Sequence, residues 1–410
     1  MGVVPTAEIF LRQGHEDTAR LEYIQYLYSN ISYRGKKEFM KKETIIVLGT
    51  GDLLIDREKP ETIFRHMADV LRSADITFAN SEQTFAEGGY LLRGHGTNSE
   101  SRNLPAIVSA GFDVISLANN HTLDWGTETL LETMKKMKKA GLPYVGAGKD
   151  IEEARRPVIL ERKGSKVGFL AFSSVHPKGY EAENDKPGLN PIRIWTIYEQ
   201  TDYQPGTPPR IVTIPYKEDM AVMVESIRKL KKETDVVIVS MHWGQHIIPR
   251  VIPEYCIDVG HAAIDVGADL VLGTHTHIGK GIEVYKGKAI FYSTGNFAAE
   301  IGPSQTKGVG GQFARRLVEK YGAIIDPECP TFSLPHESRR TMIVKALIED
   351  GKIKRFSYIP CFVNKNAEPE IVPKSSPLAK EVFDYFEDIS RSEHLAVNFA
   401  WDGDEVLILP

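Results

Sequence analysis

The sequence predicts an α/β protein, because short apolar segments alternate with amphipathic helical segments along most of the chain. The alternation begins with the β-rich residues 44–49, followed by a helical pattern at 61–73 and a short strand at 76–79. A second observation is that polar clusters follow several predicted strands directly. Since α/β proteins place their sites at the carboxyl ends of strands, these clusters indicate one functional edge.

The remaining elements follow in chain order from the same patterns. Helices are expected where apolar residues recur at helical spacing: 104–110, 127–140, 218–232, 255–266 and 376–390. Strands are expected at short β-rich runs: 115–118, 142–145, 157–160, 167–172, 235–240 and 269–272. Two hairpins are expected at 282–292 and 341–359, and residues 176–210, with six prolines and three glycines, predict a lid or a substrate-contact loop.

Composition bounds the class of protein. The 410 residues are 42% hydrophobic and 26% charged, which is typical of a globular protein. A formal charge of -5 gives no reason to expect nucleic acid or an anionic membrane as a partner. There is no apolar run long enough for a membrane span and no signal-peptide pattern, and the three cysteines form no framework, so we expect a cytoplasmic protein with free thiols.

Three regions are expected along the chain. Residues 1–42 form a helical appendage ending in a lysine-rich link, residues 43–360 form the α/β domain, and residues 361–410 form a C-terminal extension with a helix.

The most informative stretch is residues 115–124, an apolar strand that breaks into amides, an imidazole and a carboxylate. Asn119, Asn120, His121 and Asp124 follow the strand before a glycine and the next helix. Alone, these residues fit either a polar turn or a site. Four other strand ends carry similar groups, and this favours a site: Asp52, Glu82, His242, and His275 with His277.

These residue types suit a divalent cation. Carboxylates bind hard cations, and neutral imidazoles bind zinc, manganese or iron. His275 and His277 are separated by one residue, so on an extended backbone their side chains point the same way.

In this order the motifs resemble those of the CapA/PgsA capsule-synthesis family of poly-gamma-glutamate biosynthesis. The motifs, spread over residues 44–297, are Gly51-Asp52, Asn80-Ser81-Glu82, Asn119-Asn120-His121, His242-Trp243-Gly244, Gly273 to His277 and Tyr292 to Phe297. That family is similar to the calcineurin-like metallophosphoesterases. The resemblance implies a metallophosphoesterase-like β-sandwich of two mixed sheets flanked by helices in four layers (αββα), with two divalent metal ions at one end.

The resemblance also implies a role for each matching residue. Asp52 and His277 would hold the first metal, Glu82 would bridge both, and Asn120, His242 and His275 would hold the second. His121 would act as an acid or base, with Asp124 orienting its ring. Two features depart from the pattern: Leu54 stands where phosphoesterases have a histidine ligand, and no membrane anchor of the kind common in the capsule family is evident.

The implied chemistry is metal-dependent. Two cations about 3.5–4 Å apart lower the pKa of a bridging water and polarise a phosphoryl or carbonyl oxygen. Arg93 and His95, in the loop after the second strand, are candidates to bind an anionic small molecule, peptide or polymer, and His246 and Arg250 are candidates to reach the pocket.

Three functions remain open at this point. The first is a hydrolase of a phosphoester or of an amide in an acidic, glutamyl-type peptide or polymer. The second is a metal-dependent epimerase at a peptide α-carbon. The third is a non-enzymatic subunit that binds a polymer or a partner in capsule synthesis, which the missing first-metal histidine favours.

Overall fold

The computed structural model describes residues 42–92, 96–200, 202–204, 206–300, 318–319, 329, 332 and 334–410. Residues 42–410 form one compact unit. Two predictions fall outside the described residues: the helical appendage of residues 1–42, apart from Lys42, and the substrate contacts Arg93 and His95.

The first sheet is built around the strand Ile45–Leu54. This strand is parallel to Ile76–Ser81 on one side and antiparallel to Arg340–Glu349 on the other, and its carboxyl end is parallel to Asn296–Ala299. Across the sheet the strands follow in the order Asn398–Asp402, Glu405–Leu409, Lys352–Val363, Arg340–Glu349, Ile45–Leu54, Ile76–Ser81, Val114–Ser116 and Tyr144–Val145, with Pro369–Ile371 paired to Lys352–Val363.

The second sheet has a parallel centre and antiparallel edges. Its strands follow in the order Ile282–Tyr285, Lys288–Phe291, Leu270–Thr274, Val236–His242, Ser165–Ser173 and Val158–Arg162. The four middle strands are parallel, and the outermost strand on each side is antiparallel to its neighbour. The parallel strands therefore all end at the same edge.

The two sheets pack face to face, and the alternation of side chains along each strand separates the layers. Val47 belongs to the core between the sheets, whereas its neighbour Leu48 packs against helices on the outer face. Phe78 of the first sheet stacks on Phe169 of the second, with ring centroids 5.6 Å apart and an angle of 9°. Such strands, buried on both faces, account for the nearly continuous apolar runs in the sequence.

Helices cover the outer face of each sheet. The helices over the first sheet are Ala68–Ser73, Leu104–Ala110 and Thr127–Lys139, and those over the second are Lys217–Glu233 and Glu254–Asp265. The helix Pro377–Ser392 adds Val382 and Phe386 to the core between the sheets. Four further short helices lie among the described residues: Pro60–Phe64, Ser101–Asn103, Ile151–Ala154 and His336–Arg339. The predicted four-layer α/β sandwich is confirmed, although the expected helix at 61–73 is divided into two.

The predicted loop at 176–210 is partly ordered, which corrects the sequence prediction. Ile194–Glu199 and Arg210–Pro215 form an antiparallel hairpin. Its side chains are largely exposed on both strands, so no alternation of apolar and polar residues marked it in the sequence. The remaining short strand pairs are Gly188–Leu189 with Ala147–Gly148 and Thr84–Phe85 with Asn98–Ser99.

The C-terminal boundary at residue 360 also differs from the structure. It falls inside the strand Lys352–Val363, and Glu405–Leu409 pairs with that same strand. Residues 361–410 therefore extend the first sheet and belong to the same compact unit instead of forming a separate extension.

Two further expectations concerned the cysteines and a membrane-spanning segment. Cys256, Cys329 and Cys361 are all buried and form no disulfide among the described residues. Among the described residues no helix has both the length and the apolar character needed to cross a membrane.

Gly51 allows a close backbone approach beside the predicted ligand Asp52. A Cβ atom on Gly51 would lie 1.9 Å from the carbonyl oxygen of Gly295. We expect Gly51→Ala to force these segments apart and to lower the free energy of unfolding by about 1–3 kcal/mol. Gly88→Ala is the matched control, since no atom lies within 4 Å of its added Cβ. Thermal unfolding of both variants tests the effect, and equal melting temperatures would contradict it.

Candidate metal centre

The predicted ligands converge at the carboxyl ends of the parallel strands. Side-chain donor atoms form two groups within which all atoms lie inside 4.8 Å of one another: Glu82 with His242 and His275, and Asp52 with Glu82 and His277. Glu82 belongs to both groups. The structure thus brings together residues that the sequence resemblance implied as ligands of two metals, and their role as ligands stays a prediction.

Glu82 follows directly after the strand Ile76–Ser81 and is fully buried. Its Oε1 lies 3.3 Å from His242 Nε2, and its Oε2 lies 3.7 Å from His277 Nε2. Within the described part of the chain, neither carboxylate oxygen has a hydrogen-bond partner. A buried carboxylate without partners is costly, so this position calls for a cation.

Asp52 is aimed into the site by an irregular strand. The pairing register of Ile45–Leu54 shifts on both sides of Asp52. Bulges of this kind re-aim side chains and are common beside active sites. The buried carboxylate accepts hydrogen bonds from Asn80 Nδ2 at 2.7 Å and from the backbone N–H of His275 at 3.1 Å.

Two buried amides hold the neighbouring strand ends in place. Asn119 Nδ2 donates to the carbonyl oxygen of Ser81 at 2.7 Å and to Asn80 Oδ1 at 3.3 Å. Asn119 Oδ1 accepts from the backbone N–H of His121 at 3.0 Å. Asn119 therefore ties the end of the strand Ile76–Ser81 to the turn that presents Asn120 and His121.

The amide oxygen of Asn120 lies beside the ligand group of Glu82, His242 and His275. Asn120 Oδ1 lies 2.7 Å from His242 Nε2 and 3.3 Å from His275 Nδ1. The hydroxyl of Thr274 bonds to Asp52 and lies 2.9 Å from His242 Nδ1. If that hydroxyl donates to Asp52, it accepts from His242 Nδ1 and leaves Nε2 without a proton, as a metal ligand requires.

His277 is oriented in the same way by Asn296. Asn296 Nδ2 donates to the carbonyl oxygen of His277 at 3.1 Å, which turns its Oδ1 toward the ring. Oδ1 then accepts from His277 Nδ1 at 2.8 Å. The lone pair of His277 Nε2 is therefore free on the side of Glu82.

The backbone is strained at His275 and His277, two of the residues whose imidazoles face the site. His275 and His277 have φ angles of +92° and +56°, and Ile247 has a φ of +64°. Positive φ is uncommon for residues other than glycine and is an outlier for a β-branched one. Strain of this kind persists only when the surroundings hold it in place, and it clusters at functional sites.

His121 and Asp124 form a pair beside the ligand groups. His121 Nδ1 lies 2.5 Å from Asp124 Oδ2, and the side chain of His121 is 13% exposed. Asp124 also accepts from Tyr180 Oη at 2.9 Å and from the backbone N–H of Thr97 at 3.2 Å. Burial opposes ionisation of Asp124, but His121 and these donors outweigh it, so the pKa of Asp124 is lowered.

Of the two residues predicted to reach the pocket, His246 lies against the candidate ligands and Arg250 does not. The ring of His246 stacks on His275, with centroids 4.1 Å apart. The guanidinium of Arg250 instead pairs with Asp388 on the surface. Both were predicted from their nearness to His242 in sequence, which cannot show which way each side chain turns.

Burial controls the protonation of the metal-free site. It raises the pKa of Asp52 to about 7, and it raises the pKa of Glu82 well above its ordinary value, with added repulsion from Asp52 and Asp124. Burial lowers the pKa of His242 and His275 well below the ordinary value and that of His277 to about 4. The imidazoles are therefore neutral and available as ligands near pH 7.

This donor set fits a divalent cation pair. It combines two carboxylates, three neutral imidazoles and an amide oxygen, all of which are ligand types for manganese, zinc or iron. Asp52 and His277 would hold one ion and Asn120, His242 and His275 the other, with Glu82 shared.

Metal binding should depend on pH through the two carboxyl groups. Below pH 7 the raised pKa keeps a proton on Asp52, and burial favours the protonated form of Glu82 as well. Such protons must leave when a cation binds. We expect manganese affinity to rise at least about tenfold between about pH 6 and pH 8, with protons released. Calorimetric titration of the metal-free protein in two buffers of different ionisation enthalpy measures both. A pH-independent affinity with no proton release would contradict this expectation.

Comparison with curated proteins finds relatives named for capsule and polymer synthesis. The PGA biosynthesis protein CapA of Bacillus subtilis is 28% identical over 63% of this chain and 64% of its own length. The capsule biosynthesis protein CapA of Bacillus anthracis is 27% identical over 65% of this chain and 62% of its own length. A probable polyglutamine synthesis accessory protein of Mycobacterium tuberculosis is 32% identical over 55% of this chain and 54% of its own length. The chain thus spans less than two thirds of each of these relatives.

Among solved structures, a calcineurin-like phosphoesterase of Bacillus subtilis, YfkN, aligns over 86% of this chain and 99% of its own. The sequence identity is 13% and the TM-score is 0.36. Because a TM-score this low carries no weight, the fold assignment rests on the sheets and helices described above. The model of the family described as bacterial capsule synthesis protein PGA_cap matches residues 34–300, and the chain belongs to that family.

Proposed function

We propose that this protein is a dinuclear-metal hydrolase acting on a phosphoester or on an amide of an acidic, glutamyl-type peptide or polymer. The observation that carries the proposal is Glu82, a fully buried carboxylate with no hydrogen-bond partner among the described residues that is shared by two ligand groups. A protein that only binds a polymer has no need for such a costly arrangement.

The chemistry expected of the site follows from its residues. When bound, a pair of divalent cations lowers the pKa of water and polarises a phosphoryl or carbonyl oxygen. His121 would give a proton to the leaving group from Nε2, because its Nδ1 is engaged by Asp124. Asp124 keeps the ring in that orientation through its own contacts with Tyr180 and Thr97.

The substrate class is supported by the relatives and by the character of the site. Two relatives are named for PGA or capsule biosynthesis and a third for polyglutamine synthesis. A glutamyl peptide or polymer carries carboxylates, and a cation pair among neutral imidazoles attracts an anionic group. We therefore favour an acidic substrate.

A non-enzymatic role in polymer synthesis is the second candidate. It is favoured by the accessory role in the name of the mycobacterial relative and by Leu54, which stands in place of a histidine ligand. Under this alternative the protein would hold an acidic polymer without cleaving it.

A metal analysis followed by an activity screen separates the candidates. The purified protein is loaded with manganese, zinc or iron, and its metal content is measured. It is then tested on phosphoesters, γ-glutamyl amides and peptides, and inversion of configuration at a single α-carbon is monitored to detect epimerisation. We expect two metals per chain and hydrolysis of one class. Two metals with no turnover, together with binding of poly-γ-glutamate, would favour the non-enzymatic role.

A further inference from the structure

His246 lies against the candidate metal centre but is in neither ligand group. Its ring centroid is 4.1 Å from that of His275 and 5.2 Å from that of His277, with angles of 29° and 18° between the planes. In the described residues, no set of three or more donor atoms within 4.8 Å of one another includes His246. It is therefore next to the ligands without being placed as one of them.

The loop that carries His246 is held firmly. The N–H of Ile247 donates to the carbonyl oxygen of Thr276 at 2.9 Å, and the N–H of Gly244 donates to Tyr255 Oη at 2.7 Å. The buried ammonium of Lys280 donates to the carbonyl oxygens of Ile248 and Val251. The loop thus has anchors before and after His246.

The conformation held by these anchors is an unfavourable one. Ile247 has a φ of +64°, and its side chain is buried in a cluster with Leu54, Ala299 and Phe332. A β-branched residue adopts this conformation only where its surroundings impose it. His246 directly precedes this turn, and its ring lies against His275.

Nε2 of His246 is buried and has no hydrogen-bond partner in the described part of the chain. Buried polar atoms are almost always paired, by protein, by water or by a ligand. The other buried side-chain atoms of this centre without a partner are the two carboxylate oxygens of Glu82, which a cation would satisfy. His246 lies outside the ligand groups but beside them, so a ligand bound at the centre would supply the partner that its Nε2 lacks.

We propose that His246 is a substrate-binding residue whose Nε2 hydrogen-bonds to the anionic group of a ligand held at the metal centre. The inference rests on the proposed function, since it requires a metal centre that takes an anion. It adds a contact that the sequence motifs do not assign and that stays fixed before the ligand arrives, which reduces the entropic cost of binding.

The test uses inorganic phosphate as the probe and two substitutions that differ in hydrogen bonding. His246→Phe keeps a ring against His275 but has no nitrogen, whereas His246→Asn keeps a hydrogen-bonding group. Metal content is measured by elemental analysis, stability by thermal unfolding, and phosphate affinity by calorimetry on the manganese-loaded full-length chain. Because a hydrogen bond to a charged group is lost, we expect His246→Phe to weaken phosphate binding about 10–100-fold with unchanged metal content. His246→Asn should recover part of the affinity.

Each other outcome overturns the proposal in a recognisable way. Loss of metal in His246→Phe would make His246 a ligand, and unchanged phosphate affinity would leave it a packing residue. If the metal-loaded wild-type protein does not bind phosphate, the centre takes no such anion and the proposal fails. Absence of turnover in the activity screen would count against the hydrolase alone, since phosphate affinity is measured separately.

Discussion

Replacing Glu82 by glutamine is expected to strip the protein of both metal ions and to abolish any metal-dependent turnover. Glutamine has nearly the same shape, but it lacks the negative charge and the second oxygen that the two ligand groups share. Loss of this shared ligand should weaken metal affinity by at least about 100-fold, because each cation loses an anionic donor in a buried site. Elemental analysis after dialysis against a chelator-free buffer measures the result.

The same substitution should not harm the metal-free fold. Burial raises the pKa of Glu82 well above its ordinary value, so the ionised carboxylate is disfavoured in the metal-free protein near pH 7. Metal-free Glu82→Gln should therefore unfold at a temperature equal to or above that of the metal-free wild type, and the wild type alone should gain stability on adding manganese.

Glu283→Gln is the matched control for this experiment. Glu283 is buried like Glu82, but it lies in the second sheet and has partners of its own. Its carboxylate accepts from Tyr292 Oη at 2.6 Å and contacts His261. Its replacement should lower stability and leave metal content unchanged. Full metal occupancy in Glu82→Gln would refute the shared-ligand assignment.

The layers of the fold could be predicted because they depend on local pattern. Apolar strands ending in polar residues marked the functional edge. Parallel pairing brings Asp52 close to Glu82 in the first sheet and His242 close to His275 in the second, and packing of the two sheets brings Glu82 to His242. The motif order supplied the division into two ligand groups. These features need only the period of the side chains and the direction of the strands.

The parts that were missed depend on tertiary contacts. Glu405–Leu409 joins the first sheet through Lys352–Val363, a pairing that no turn or periodicity announces. His246 precedes a left-handed Ile247, a backbone conformation that sequence pattern alone would reject. The hairpin Ile194–Glu199 with Arg210–Pro215 is exposed on both strands, so it lacked the alternation that identifies a half-buried strand.

Replacing His121 by asparagine should separate proton transfer from metal binding. His121 is in neither ligand group, and its Nδ1 is engaged by Asp124. We expect His121→Asn to keep metal content near the wild-type level and to lower turnover about 10²–10⁴-fold, since under the proposed function its imidazole would be the proton donor. The substrate is the one identified by the activity screen, and metal content and melting temperature are measured on the same preparations.

Asp124→Asn tests whether the two residues act as a unit. The amide would still accept from Tyr180 but would no longer hold His121 as a carboxylate does, so turnover should fall by a smaller factor, about 10–100-fold. In the double variant the losses should not add, because an orienting group has no effect once the ring is gone. His261→Asn, a histidine paired with Glu283 outside the ligand groups, should leave turnover and metal unchanged. Metal loss in His121→Asn as large as in Glu82→Gln would make His121 a ligand, and full activity in His121→Asn would remove it from the reaction.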